Sequence, residues 1–149
     1  MPHDSGEWCE EIFLRLSDLH THEINKCSDL EKLVYKVFYC VGDCLNGYPE
    51  QMYSNSTGDY ANEMPKLLWK IKAYRSALYF WLMNRLVFGF GQVPIDREIR
   101  SHKWGHFIEH SDILFVRMYR KLELLFCNVI QEKEDYYKLL FEYGHQKSI

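Results

Sequence analysis

YCVGDCLNGY, residues 39–48, places a Gly-Asp pair inside a stretch whose flanks read as helix. Glycine in a helix interior costs roughly 1 kcal/mol relative to alanine. Aspartate is also a poor helix former, because its side chain competes for nearby backbone amides. The helical pattern nevertheless runs through both: Leu30, Leu33, Val34, Val37, Phe38, Val41 and Leu45 recur along one side. Ser28-Asp29-Leu30-Glu31 supplies a capping box at the start, the serine closing the first turn and the glutamate reaching back. The stop is expected near Gly47-Tyr48-Pro49, because proline biases the residue before it away from helix. Gly42 is expected to let a neighbouring helix approach the backbone, so that a bulky replacement destabilises the domain. Asp43 is expected to meet a cation on the facing surface.

Working outward, Trp8, Ile12, Leu16 and Leu19, widened by Phe13, predict a first helix from about Gly6 to Asn25. Residues 49–61, PEQMYSNSTGDYA, read as a polar loop. A helical region opens near Pro65, which a first turn tolerates, and runs through LLWKIKAYRSALYFWLMNRLVFGF with room for one break. Gly89, Gly91 and Pro94 punctuate its end. Residues 77–90 are the most apolar segment and are expected to form a central helix buried all round. Asp96 is positioned as a cap, and the helical pattern resumes over 104–126 with a restart at Ser111-Asp112. A last helix over about 133–143 is expected to end at Gly144 as its C-terminal cap. No alternating strand pattern competes, so the chain reads as one all-α domain over residues 1–149.

Bulk properties exclude several function classes. A chain of 149 residues, 47% hydrophobic and 26% charged, fits one globular domain with its own core. The aromatic share of 16% suits a tightly packed interior or a groove that grips an apolar partner. Net charge is −3 with both signs mixed along the chain, so no basic field points to nucleic acid. Lys66, Lys70, Lys72 and Arg75, interleaved with Trp69 and Tyr74, read as a solvated helix face. The longest apolar run, residues 77–91, is interrupted by Asn84 and Arg85 and is too short to span a membrane.

Five cysteines (9, 27, 40, 44 and 127) and a start, MPHDSGEWCEE, without signal-peptide character predict reduced thiols in the cytoplasm. No Cys/His pair answers Cys40 and Cys44, so no metal is expected. His102, His106 and His110 lie four apart, but without a glutamate base they read as an exposed face with pH-sensitive charge. Asn55-Ser-Thr is a formal glycosylation acceptor that matters only in a secreted chain. Nucleophile elbows and phosphate-binding glycine loops are absent, so no enzyme and no cofactor are expected.

Val34, Phe38, Val41 and Leu45, with Gly42-Asp43 before the last anchor, resemble the third homology motif of the Bcl-2 family of apoptosis regulators. Ile130-Gln131-Glu132 followed by Tyr143-Gly144 is similar to the family's second motif, with Glu134-Asp135-Tyr136 replacing Gly-Gly-Trp. The first motif's Asn-Trp-Gly-Arg corresponds to the region of Trp81, with the arginine displaced to Arg85. The chain thus resembles a divergent, viral or invertebrate-like member.

That resemblance implies a Bcl-2-like helical bundle whose surface groove captures the amphipathic death-motif helix of a pro-apoptotic protein. Residues 34–48 would form one wall, the helix from Trp81 through Phe88 to Phe90 the floor, and Arg85 the cation meeting a ligand aspartate. It further implies a pro-survival protein of the cytoplasm and mitochondria, and leaves room for a homodimer. The rivals are a secreted four-helix signalling protein, suggested by length, cysteines and the Asn55 acceptor, a Bcl-2-type bundle that uses another interaction surface, and a structural adaptor helix bundle with no groove.

Overall fold

The computed structural model describes residues 4–147, and these contain helices and no strand. The α-helices are α1 (Ser5–Ser17), α2 (Thr21–Ile24), α3 (Asp29–Ser54), α4 (Met64–Lys70), α5 (Tyr74–Phe88), α6 (Arg97–His110), α7 (Ile113–Asn128) and α8 (Tyr136–Lys147). A 3-10 turn, Ser56–Tyr60, comes after α3, and a π turn, Val129–Lys133, extends α7.

Helix starts coincide with the capping residues. Ser28 Oγ accepts from the Glu31 amide at 3.2 Å while Glu31 Oε2 accepts from the Ser28 amide at 2.9 Å, which completes the capping box. Asp96 accepts from the Ile99 amide at 3.0 Å, and Asp112 from the Leu114 amide at 2.9 Å. The single helix expected over 6–25 is instead two. The amide of His20, the N-cap of α2, donates to Glu23 Oε2 at 2.8 Å and restarts the chain there.

α3 does not stop at Pro49. It breaks at Gly47 (φ −149°, ψ 28°) and Tyr48 (φ 62°, ψ 168°), then resumes to Ser54. The stretch expected as a loop is therefore mostly ordered structure, and Pro49, Met52, Tyr53, Thr57, Gly58 and Ala61 are buried.

Two polar hubs hold this segment in place. Asp43 accepts from Gln51 Nε2 at 3.1 Å, Asn55 Nδ2 at 3.1 Å and Thr57 Oγ1 at 2.5 Å, tying the first part of α3 to the chain beyond its break. Arg100 of α6 is fully buried. Its guanidinium donates to the carbonyls of Tyr53 (2.7 Å), Asn55 (2.5 Å), Pro94 (2.9 Å) and Ile95 (2.9 Å), and to Asp59 Oδ1 (3.1 Å). A buried charge persists only when its hydrogen bonds are met, and here they wrap the 53–59 segment around one side chain. Gln51, Asn55 and Thr57, among the polar residues that make 49–61 look like a loop, are used inwards.

The most enclosed helix is α3, which packs against α1, α4, α6, α7 and α8. Leu33, Val34, Val37, Cys40, Val41 and Cys44 are buried along it. Fully burying a side chain of valine or leucine size contributes about 1.5–3 kcal/mol relative to leaving it exposed. The expectation that residues 77–90 are buried all round is corrected. α5 packs mainly against α4 and α7, with Ala77, Phe80 and Met83 inside and Leu78 (53% exposed) and Trp81 (44%) outside. Its apolar residues continue onto the side that faces water, so hydrophobicity overstated its burial.

Both glycine expectations are corrected as well. Outside its own helical turn, no atom lies within 4 Å of where a Cβ of Gly42 would sit, so no neighbouring helix presses on that position. Gly144 is not a cap but lies inside α8, where a Cβ would stand 2.6 Å from the ring of Trp8 in α1. The expected break before α5 falls at residues 71–73, with Lys72 at φ 68°.

All five cysteines are free, and Cys9, Cys40 and Cys44 are buried. Burial pushes the Cys9 thiol up to about 12 and the Cys127 thiol to about 11, which leaves both unreactive at neutral pH. No disulfide framework holds this fold.

Candidate functional site

α4 and α5 form a short antiparallel pair whose inner faces, Leu67, Leu68, Ala77 and Phe80, belong to the core. Their outer seam is a groove of ≈ 350 Å³ lined by Pro65, Lys66, Trp69, Ala77, Leu78 and Trp81. It shares Pro65, Lys66 and Trp81 with a second hollow of ≈ 310 Å³ that reaches Arg85 and Phe90. Trp69 is 61% exposed and Phe90 91%. Together with Leu78 and Trp81 they make a strip of large apolar side chains open to solvent. Contiguous patches of this kind mark interaction surfaces, unlike singly scattered apolar residues.

The strip rests on fixed supports. α5 lacks a capping side chain of its own at Ala73, and Glu134 supplies one from the segment after the π turn. Glu134 Oε1 accepts from the Arg75 amide at 2.9 Å, and Oε2 from the Ser76 amide (2.9 Å) and hydroxyl (2.7 Å). Further along, Asn84 is buried; its Oδ1 accepts from the Tyr53 hydroxyl at 2.6 Å and its Nδ2 donates to the Ala61 carbonyl at 2.9 Å. Asn62 and the Val93 backbone exchange two hydrogen bonds, both 2.8 Å, which draw the segment after α5 back along the groove end.

The groove is cationic. Lys66 and Arg85 flank it and no carboxylate lines either hollow. Arg85 Cζ lies 5.9 Å from the Trp81 ring centroid, a cation–π geometry. Arg85 Nε is buried and, among the described residues, has no hydrogen-bond partner. Tryptophan, apolar contacts and arginine side by side are the composition enriched at binding hot spots. The complement of this surface is an apolar ridge carrying negative charge.

No family model, curated protein or solved structure matches the chain. The site therefore rests on its own geometry.

Of the nine residues expected at a partner-binding surface, the structure brings Trp81 and Arg85 together at the groove. Val34 and Val41 are fully buried in α3. Phe38 packs on Phe13 of α1 (ring centroids 4.8 Å apart) and Tyr137 of α8 (5.7 Å). Leu45 is half-buried against the core. Gly42 borders open space, and Asp43 spends its carboxylate on Gln51, Asn55 and Thr57 rather than on a cation. Phe88 meets Tyr53 edge-on at 5.1 Å and lines a different hollow, between α5 and α6. The segment 34–48 is thus the spine of the bundle.

Lys66, Trp69, Leu78 and Glu134 lie outside the set of residues expected at a partner-binding surface. Lys66 and Trp69 were absorbed into the solvated stripe, which is indeed exposed. The spacing Tyr74, Leu78, Trp81 was the available signal for a second, outward apolar face on α5. Glu134 carried no local signal, because the amides it caps lie 58 and 59 residues away. Among the described residues no group of His, Cys, Asp and Glu could hold a metal ion, and no helix is long and apolar enough to cross a membrane. His102, His106 and His110 are exposed on α6.

Proposed function

We propose that this protein is a binding module that captures an amphipathic, acidic helix of a partner in the groove between α4 and α5. The resemblance to the Bcl-2 family supplies the partner class: a pro-apoptotic protein whose death-motif helix is sequestered, which makes this chain a pro-survival regulator acting in the cytoplasm and at mitochondria. The observation that carries the reading is Trp81 beside Arg85, an exposed indole next to a guanidinium whose Nε lacks a protein acceptor among the described residues. An apolar ridge with residues at i, i+3 and i+4 fills such a seam, and its carboxylate pairs with the Arg85 guanidinium at the groove end.

Titration of the protein with a panel of death-motif peptides tests this. Micromolar or tighter binding, weakened by Trp81→Ala and by Arg85→Glu, is the expected result. If the panel fails while an unrelated acidic amphipathic peptide binds the groove, the apoptotic assignment falls and helix capture stands. Uniform failure removes both.

A further inference from the structure

A hollow of ≈ 570 Å³ lies away from the groove's apolar strip, between the start of α3 and the ends of α4 and α8. Four lysines line it: Lys32 and Lys36 from α3, Lys70 from α4 and Lys147 from α8. They are brought together by the fold and not by a basic run in the sequence. The lining holds only two carboxylates, Asp29 and Glu63, in a chain whose overall charge is negative. Its apolar share comes from Leu30, Leu33 and Leu67.

The lysines are not all used up. Lys32 pairs with Asp29 at 3.2 Å, and Lys36 with Glu63 at 2.9 Å. Both carboxylates are at least half exposed while the two lysine stems are mostly covered, so solvent screens each pair on the carboxylate side. They give way cheaply to a ligand of higher charge. Lys70 and Lys147 have no ion pair among the described residues, and Lys147 Nζ sits over the Tyr143 ring at 5.9 Å. No arginine lines the cleft. Planar, two-pronged recognition of carboxylates favours guanidinium, whereas lysine ammoniums act as point charges suited to clustered phosphate. The volume is that of a small-ligand site and is too short for an extended polymer.

We propose that this cleft is a binding site for a compact polyphosphate, the chemistry shared by soluble inositol phosphates and phosphoinositide headgroups. Lys70 and Lys147 make the new contacts, and Lys32 and Lys36 turn from their carboxylates toward the ligand.

Calorimetric titration of the full chain with inositol hexakisphosphate, at low and at physiological salt, tests the proposal. Saturable binding that weakens with salt is expected, and the double variant Lys70→Ala, Lys147→Ala should bind about tenfold more weakly or worse. Neither lysine is in an ion pair among the described residues, so the variant keeps its fold, checked by circular dichroism. Lys103→Ala, in the hollow between α5 and α6, should leave affinity unchanged. Vesicles containing phosphatidylinositol bisphosphate form the second arm. Sedimentation with them, lost in the double variant, assigns a membrane headgroup, while calorimetric binding without sedimentation assigns a free metabolite. Absence of binding in both arms, affinity untouched by the double variant, or tighter binding of a polyglutamate peptide would overturn it.

Discussion

Arg100 fills the volume that a side chain at residue 58 would need. A Cβ on Gly58 would collide with the guanidinium, so the glycine and the buried arginine require one another. Gly58→Ala is expected to cost about 1–3 kcal/mol through overpacking. Arg100→Met, which strands the carbonyls of Tyr53, Asn55, Pro94 and Ile95, is expected to cost at least about 1–3 kcal/mol, the penalty of a single unsatisfied buried acceptor. Urea denaturation of the two variants measures both, and the double variant should be more stable than the sum of the single losses implies, because the collision disappears with the arginine.

Gly42→Ala should stabilise the protein by roughly 0.5–1 kcal/mol, since the added methyl meets open space and the helix loses a flexible position. A lowered denaturation midpoint would show that a neighbour approaches that backbone after all.

Glu134 acts on α5 from a distance. Glu134→Ala should cost about 1–2 kcal/mol as a lost helix cap. Because the frayed turn leads into Leu78 and Trp81, hydrogen exchange at the start of α5 should quicken and peptide affinity at the groove should fall with it. Exchange that stays unchanged across residues 74–78 contradicts the capping role.

Glu123 makes stability depend on pH. It is 3% exposed on α7, and burial raises its pKa above the ordinary 4.5 despite the hydrogen bond from Arg120, which opposes the shift. Arg120 shares itself with Glu50 at 2.7 Å, and Glu123 Oε1 has no hydrogen-bond partner among the described residues. A carboxylate raised in the folded state favours folding while protonated, and that contribution is lost as pH rises from 4.5 through the raised value. Glu123→Gln should therefore gain in melting temperature relative to the parent as pH goes from acidic to neutral. A difference that shrinks over that range reverses the sign and refutes the assignment.

Much of this architecture was legible. Ser28, Asp96 and Asp112 carry their capping chemistry within three residues of the amides they cap, so local sequence announced the starts of α3, α6 and α7. The features that stayed hidden depend on partners remote in the chain. Arg100 gathers atoms 41 to 47 residues away, and nothing in REIR marks one arginine as buried. Asp43 looked like a surface anion because its acceptors are spent on residues beyond the break in α3. Trp81 and Arg85 stand one helix turn apart on α5, so their adjacency was readable from spacing alone. The burial of Val34 and Val41 was readable too, from the helical spacing of the apolar residues in α3.

The exposed indoles of the α4–α5 seam give the protein a built-in optical probe. Of its four tryptophans, Trp8 faces α8 and Trp104 donates to Tyr119 at 3.2 Å, while Trp69 and Trp81 stand in water. An occupant that covers the seam dries those two rings alone, so the emission spectrum should move toward the blue without any label. Quenching by iodide then counts how many indoles the occupant shields.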